Sequence, residues 1–354
     1  MRLKYIDMSK GLMMLFVMIG HLVFILGKNY QMIYLFHMPF FFIVSGYTQS
    51  KKTLSLPFGS FLIRLVQTLL IPIYLYRALE YSISIIIYGK GNTDISVYLT
   101  HPDIHWFLSA LFFARIIFYF IYKIEQIANI YYKEWYYLMI AFLSIYGGNL
   151  LNNLGYHNRP QWFFCPIDSG LAALGFIIFG YLIKSTFNKL IIDISTLEDH
   201  KIELFIYLIA IVCTFALQCT NSFVGFFSMN FGYSDIFYYG MAILLSCAVI
   251  SICKYIEDKN GIITDTLSVI GRNTLVFYPS HVLIYNLLDH YFGLKIMSEE
   301  FPLMYKFIYM GVTLTILMPI CLLINRVKEN EVKLWKFEFA ITIVLFAITV
   351  FLLD

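Results

Sequence analysis

Three histidines lie within long apolar runs of the chain, where a polar side chain is costly to bury. His21 and His37 lie in the first two runs and His281 in a later one. A neutral imidazole near pH 7 can take a proton from a reacting hydroxyl. A lone buried histidine is also often a hydrogen-bonded packing residue. Three of them in separate runs favour a functional role over packing, and His21 is the strongest candidate.

Other charged side chains also lie inside apolar runs, where each costs about 2.5–3.5 kcal/mol at mid-bilayer. Arg77 and Glu80 are three residues apart and share a helical face, where they could neutralise one another or take part in function. His105 and Trp106 begin a run, and Arg115 lies roughly 13–14 Å deeper along the predicted helix.

No metal site or nucleotide-binding loop is predicted. His101 and His105 are four apart, but Pro102 between them works against a shared helical face. The chain contains no HExxH, Walker, GxGxxG or GxSxG motif. The six cysteines form no CxxC pair and are typical of buried small side chains.

The composition indicates whether these residues belong to a soluble protein or to a membrane protein. Of 354 residues, 60% are hydrophobic, 19% aromatic and only 13% charged, and the mean hydropathy is +0.74. Soluble domains have about 25% charged residues. A soluble enzyme, a disordered protein and a disulfide scaffold are therefore excluded. The net charge of +3 is too small for a nucleic-acid binder.

The apolar runs predict an all-α polytopic membrane protein with about ten or eleven transmembrane helices in one domain, 1–354. About 20 apolar residues cross a bilayer. The predicted spans are 9–27, 32–50, 62–88, 104–122, 135–152, 167–185, 202–219, 235–254, 266–290, 302–325 and 338–353.

The placement of Lys and Arg predicts a cytoplasmic N-terminus. Of the 25 basic residues, eighteen lie in segments that are inside with this orientation, five lie outside, and two lie within spans. The outer loops 149–166 and 220–234 are rich in aromatic and amide side chains. Such loops suit a sugar ring, and they equally suit an ordinary membrane interface.

The N-terminal motifs resemble those of the acyltransferase 3 family, the integral-membrane acyl-CoA-dependent O-acyltransferases. The resemblance rests on Tyr5-Ile6-Asp7-Met8-Ser9-Lys10-Gly11, Gly20-His21 and Phe36-His37-Met38-Pro39 running to Ser45-Gly46-Tyr47. Trp106-Phe107-Leu108 and Gly271-Arg272-Asn273, followed by His281, fit the same family in the right order.

Within this family, the chain is similar to the fucose 4-O-acetylase branch, whose members have D-x-x-K-G and W-F-L. The lipopolysaccharide and peptidoglycan branch has a glutamate where this chain has Leu111. The family's Arg-x-x-Arg appears as Arg64-Leu65-Val66-Gln67, so one arginine of the pair remains. The family core has ten spans, so 338–353 is a candidate addition.

The resemblance implies transfer of an acyl group from cytoplasmic acetyl-CoA to a hydroxyl of a cell-surface or lipid-linked saccharide, in the bacterial cytoplasmic membrane. No metal or nucleic acid is implied. The expected catalytic residues are His21, His37 and His281. His21 is expected to be the base, and a covalent acyl-imidazole is the alternative.

The remaining implied roles are binding roles. Acetyl-CoA is expected to contact Asp7, Lys10, Arg64 and Arg272, whose basic members the topology places at the inner face. The saccharide is expected to contact His105, Trp106 and Arg115.

Two other classes fit a polytopic chain with intramembrane charges. A flippase or exporter of a lipid-linked sugar would use the same residue types, but no two-fold pattern of Gly- or Pro-broken segments stands out. A polysaccharide polymerase would usually need a larger outer loop.

Overall fold

The protein is described by a computed structural model at residues 3–22, 31–89, 106–155, 167–184, 225–226, 229–231, 234–258, 261–293 and 302–329. Within these ranges it is helical, apart from turns and one isolated bridge between Gly225 and Asn230. The predicted all-α class is confirmed. The helices are α1 (Lys4–Gly20), α2 (Gln31–Tyr47), α3 (Lys51–Leu54), α4 (Phe58–Leu65), α5 (Ile71–Tyr88), α6 (Trp106–Ile127), α7 (Lys133–Asn153), α8 (Ile167–Leu182), α9 (Asp235–Ile256), α10 (Ile262–Arg272), α11 (Thr274–Phe292) and α12 (Pro302–Glu329).

One compact unit combines three stretches of sequence, Met1–Gly27, Val66–His105 and Glu257–Asp354. In this unit α1 packs along α10 and also contacts α11, which in turn contacts α5 and α12. The first turn of α1 is tied to the same unit by an ion pair between Lys4 Nζ and Asp265 Oδ1 at 3.1 Å. These contacts place the end of α1 beside α11.

The second compact unit combines Lys28–Leu65 and Trp106–Ile256. Its central helix is α8, which packs against α2, α6 and α7, while α9 packs against α2. Nearly all of α8 is buried. Its glycines let neighbours approach closely, since Gly170 faces the Phe113 ring and Gly180 faces the Ile43 backbone. Small residues are the usual basis of helix association where water gives no hydrophobic drive.

Within the described ranges, four helical segments are long and apolar enough to cross a membrane, namely Phe58–Ile85, Trp106–Ile127, Asp235–Ile256 and Met304–Arg326. Ile33–Tyr47 and Ile167–Leu182 are shorter apolar helices. Large apolar side chains on α7, among them Met139, Phe142 and Leu143, point outward and are exposed. An outward apolar surface of this kind suits lipid. The chain is a membrane protein, and the number of spans stays a prediction.

The predicted single span over 266–290 is wrong, because two helices occupy it. Helix α10 ends at Arg272, and Asn273 has φ −119° and ψ 29°, outside the helical range. The Asn273 side chain donates to the Val269 carbonyl at 2.8 Å, which closes α10 before α11 begins. The predicted spans 202–219 and 338–353 lie outside the described residues.

Two glycines from opposite ends of the sequence let α1 and α10 cross with their backbones in contact. A Cβ added to Gly11 would lie well under 3.0 Å from the Leu267 carbonyl oxygen, and one added to Gly271 would lie equally close to the Asp7 carbonyl oxygen. Each helix therefore contributes a glycine that faces the other helix's backbone. No larger residue fits at either position without separating the helices.

The second unit contains the same kind of crossing between α2 and α8. A Cβ on Gly46 would overlap the Ile177 carbonyl, and a Cβ on Gly180 would overlap the Ile43 carbonyl. Helix α2 contains Pro39 within its length. The glycine in the Ser45-Gly46-Tyr47 motif is thus required by backbone packing.

Candidate functional site

His21 and His281 lie edge to face in the first unit. Their ring centroids are 4.9 Å apart and their planes are at 85°. His21 follows directly on α1, where its N–H donates to the Val17 carbonyl at 3.1 Å. His281 lies in the second turn of α11. The structure therefore brings together two of the three predicted catalytic histidines, which are separated by 260 positions in the sequence.

The two imidazoles of the pair differ in access and in orientation. His281 is fully buried, and its Nδ1 donates to the Phe277 carbonyl at 2.9 Å. Because a carbonyl only accepts, the proton of neutral His281 is on Nδ1 and the lone pair is on Nε2. The His21 side chain is exposed. His21 can therefore contact a substrate, while buried His281 packs against the His21 ring.

A ladder of polar side chains continues from His281 along α11. Tyr285 contacts His281 edge to face at 5.6 Å, and its hydroxyl donates to the Met18 carbonyl at 3.3 Å. The ring of Tyr309 on α12 lies 5.2 Å from Tyr285, and its hydroxyl donates a short hydrogen bond to Asp289. These contacts fix the position of α11 against α1 and α12.

Sequence reasoning missed the two tyrosines of this ladder. A usable signal exists, because His281, Tyr285 and Asp289 follow one another at intervals of four and so share one helical face. Tyr309 gives no such signal, since it comes from another helix.

Asp7 holds together two predicted donor-binding cations. Its Oδ1 lies 3.0 Å from Lys10 Nζ, and its Oδ2 lies 3.5 Å from Arg272 Nε. The Asp7 side chain is only 3% exposed, whereas those of Lys10 and Arg272 are 22% and 40% exposed. A buried carboxylate thus aims two partly exposed cations outward.

The cation cluster and the histidine pair lie at opposite ends of α1. Lys10 and His21 are eleven residues apart along a continuous helix and its closing turn, which corresponds to about 16 Å. The arrangement offers an anion-binding end and a proton-accepting end on one element.

The third predicted catalytic histidine belongs to the second unit. His37 is buried, its Nδ1 donates to the Ile33 carbonyl at 2.6 Å, and its ring lies edge to face with Tyr34 at 5.0 Å. As with His281, this bond places the neutral ring's lone pair on Nε2. A catalytic role for His37 stays a prediction.

The predicted saccharide contacts also lie in the second unit where they are described. Trp106 begins α6 and stacks on Phe226, with centroids 5.8 Å apart and planes at 22°. Arg115 donates a hydrogen bond to the side-chain oxygen of Gln49, and the backbone carbonyl of Gln49 accepts from Lys184 Nζ at 3.3 Å. His105 lies outside the described residues.

The structure locates several other polar residues of the predicted spans, and we assign them no chemical role. Arg77 and Glu80 are both buried on α5. Asp168, in the first turn of α8, accepts from the Ser169 backbone N–H at 2.7 Å, which suits a capping role. Arg64, a predicted donor contact, is exposed on α4.

Comparison with known proteins gives these residues a family context. A nodulation protein, NolL, of Mesorhizobium japonicum (strain LMG 29417 / CECT 9101 / MAFF 303099) is 30% identical over 125 residues, which cover 31% of this chain and 34% of that protein. The chain thus spans about a third of this relative's length. No solved structure matches significantly. The acyltransferase domain model of the acyltransferase 3 family matches residues 3–326. With nearly the whole described chain matched, this protein belongs to the acyltransferase 3 family of enzymes.

Proposed function

We propose that this protein transfers an acetyl group from cytoplasmic acetyl-CoA to a hydroxyl of a cell-surface or lipid-linked saccharide, as the fucose 4-O-acetylase branch does. The observation that carries the proposal is the pairing of an exposed His21 with a buried His281 of fixed tautomer. An accessible imidazole backed by a positioned one is suited to remove a hydroxyl proton.

In the proposed reaction, the imidazole of His21 takes the proton of the saccharide hydroxyl as its oxygen attacks the thioester carbon. The new C–O ester bond forms and the C–S bond breaks. The proton then passes from His21 to the departing sulfur, which leaves as the thiol of CoA. His281 holds the His21 ring in position through its edge-to-face contact.

The donor's phosphates are proposed to bind at the other end of α1. Lys10 and Arg272 present two cations beside buried Asp7, and charge-assisted bonds from such groups to phosphate are strong. The pantetheine arm would extend from there along α1 towards His21. The proposed roles of Arg64 in donor binding, and of His37, His105, Trp106 and Arg115, stay predictions.

The proposed location is the cytoplasmic membrane, with the N-terminus inside. The support is the excess of Lys and Arg in the predicted inner segments. That orientation places Lys10 and Arg272 on the side where acetyl-CoA is made available.

Membranes that contain this protein, given acetyl-CoA labelled in the acetyl group, are expected to transfer the label to a saccharide. Mass spectrometry of the surface glycan with and without the gene should then show one acetyl mass increment per acceptor sugar. Label that stays in CoA, together with an unchanged glycan that fails to reach the surface without the gene, would favour an exporter.

Lys10→Gln is expected to raise the KM for acetyl-CoA about tenfold with little change in kcat, because one charge-assisted phosphate contact is lost. The measurement is steady-state transfer in membranes at varied acetyl-CoA. Lys4→Gln is the matched control, since Lys4 lies on the same helix but pairs with Asp265. A fall in kcat at unchanged KM would contradict donor binding by Lys10.

A further inference from the structure

A cavity of about 160 Å³ lies in the second unit, where α6 ends, α7 begins and α8 ends. Its lining includes Lys51, Glu125, Lys133, Tyr137 and Tyr181. The acyl-transfer proposal uses none of these residues. A cavity of about 150 Å³ is enough for a group the size of benzene, so this one would take a small head group and not a whole nucleotide.

The charges that line this cavity balance. Lys51 and Lys133 contribute two cations, and Glu125 and Glu134 contribute two carboxylates. Glu125 is only 2% exposed and forms an ion pair with Lys133, whose side chain is 51% exposed. A purely anionic ligand would meet the carboxylates, and a purely cationic one would meet the lysines. The lining therefore favours a ligand that carries both charges.

Tyrosines form the rest of the polar lining. The rings of Tyr137 and Tyr181 have centroids 5.3 Å apart, and Tyr122 lines the same cavity. The Tyr137 hydroxyl is buried, and its side chain interacts with that of Tyr181. Aromatic faces attract an ammonium group, so the tyrosines suit the cationic end of a ligand.

The surroundings of the cavity place it at the edge of the membrane. Tyr131, Tyr132 and Trp135, which precede or begin α7, are 86%, 68% and 72% exposed. Exposed tyrosine and tryptophan collect where membrane meets water. Apolar Phe120 and Ile124 are exposed on α6, one turn apart and just before Glu125 in the helix. A polar head in the cavity would leave acyl chains free to lie along that apolar stripe.

We propose that this cavity binds the ammonium-phosphate head of a phosphatidylethanolamine lipid. The primary ammonium donates hydrogen bonds to Glu125 in place of Lys133, and the phosphate accepts from Lys133 and Lys51. A quaternary ammonium has no N–H to donate to Glu125, so a choline lipid binds more weakly. An anionic glycerol head has no cation for Glu125 at all.

The test uses the purified full-length protein in delipidated micelles, titrated separately with phosphatidylethanolamine, phosphatidylcholine and phosphatidylglycerol. Bound lipid is counted by native mass spectrometry, and the melting temperature is followed in parallel. We expect saturable binding of the ethanolamine lipid about tenfold tighter than of the other two, as one charge-assisted contact distinguishes them. Equal binding of all three lipids would overturn the proposal.

Variants locate the effect in the cavity. Lys51→Gln is expected to weaken binding of the ethanolamine lipid about tenfold. Glu125→Gln is expected to make the ethanolamine and choline lipids bind equally. Lys52→Gln is the matched control, because Lys52 is exposed next to Lys51 but does not line the cavity. If Glu125→Gln fails to fold, the exposed Lys51 still decides the outcome: unchanged lipid binding by Lys51→Gln would overturn the proposal.

A last arm separates a lipid from a soluble ligand of the same chemistry. Water-soluble phosphoethanolamine is added to the lipid-free protein in the same micelles. Weak competition with the lipid supports the head-group assignment. Stabilisation by phosphoethanolamine with none by the lipid would assign the cavity to a soluble metabolite and overturn the lipid.

Discussion

Replacement of His21 by alanine is expected to abolish acetyl transfer while the protein still inserts in the membrane. A positioned general base contributes about 10²–10⁴-fold to a rate, and His21 is the exposed member of the histidine pair. The His21 side chain follows the last turn of α1, so its removal leaves the helix and its backbone hydrogen bonds in place. The measurement is the transfer rate from labelled acetyl-CoA in membranes with matched protein amounts.

The matched control for this variant is His290→Ala. His290 is an exposed histidine at the end of α11 in the same unit, and it has no place in the proposed reaction. Its replacement should leave the transfer rate unchanged. Near-normal activity of His21→Ala would remove His21 from the reaction and leave the family assignment intact.

Gly271→Ala is expected to damage both stability and activity. The added methyl would overlap the Asp7 carbonyl oxygen, and backbone cannot rotate away as a side chain can. Overpacking typically costs about 1–3 kcal/mol and occasionally more. Here α10 must also move away from α1, which separates Arg272 from Asp7. The expected result is a lower melting temperature in detergent together with a raised KM for acetyl-CoA.

Gly311→Ala is the control for this substitution. Gly311 lies within α12 of the same unit, and among the described residues nothing beyond its own stretch of helix lies within 4 Å of an added Cβ. An alanine there should be neutral or stabilise by about 0.5–1 kcal/mol, because glycine is the poorer helix former. Equal behaviour of the two variants would show that the α1–α10 crossing tolerates more space than its backbone contacts indicate.

The fold class was predictable because it follows from composition and from runs of apolar residues. The break at Asn273 was not, because Leu267, Val269 and Ile270 continue the apolar run up to it and the span length gave no reason to divide the run. What ends α10 is a local bond from the Asn273 side chain to the Val269 carbonyl. A hydropathy value averaged over many residues does not register a single side-chain hydrogen bond of this kind.

The candidate site was predictable only in its local part. Asp7 and Lys10 are three apart on one helix, so their ion pair can be read from spacing. The partner of His21 is different, since 260 residues separate it from His281 and only the packing of α1 against α11 brings them together. Arg272 likewise joins Asp7 through the crossing of α1 and α10.

The paired glycines change how the family's signature should be interpreted. Asp7, Lys10 and His21 are the residues of the motif region for which chemical roles are proposed. Gly11 beside them is required by its contact with the Leu267 backbone, and Gly271 in its own motif is required by its contact with the Asp7 backbone. Part of what makes such a chain recognisable is therefore steric. A redesigned chain that kept every reactive side chain of the motif but replaced its glycines would retain the chemical groups and lose the helix crossing that positions them.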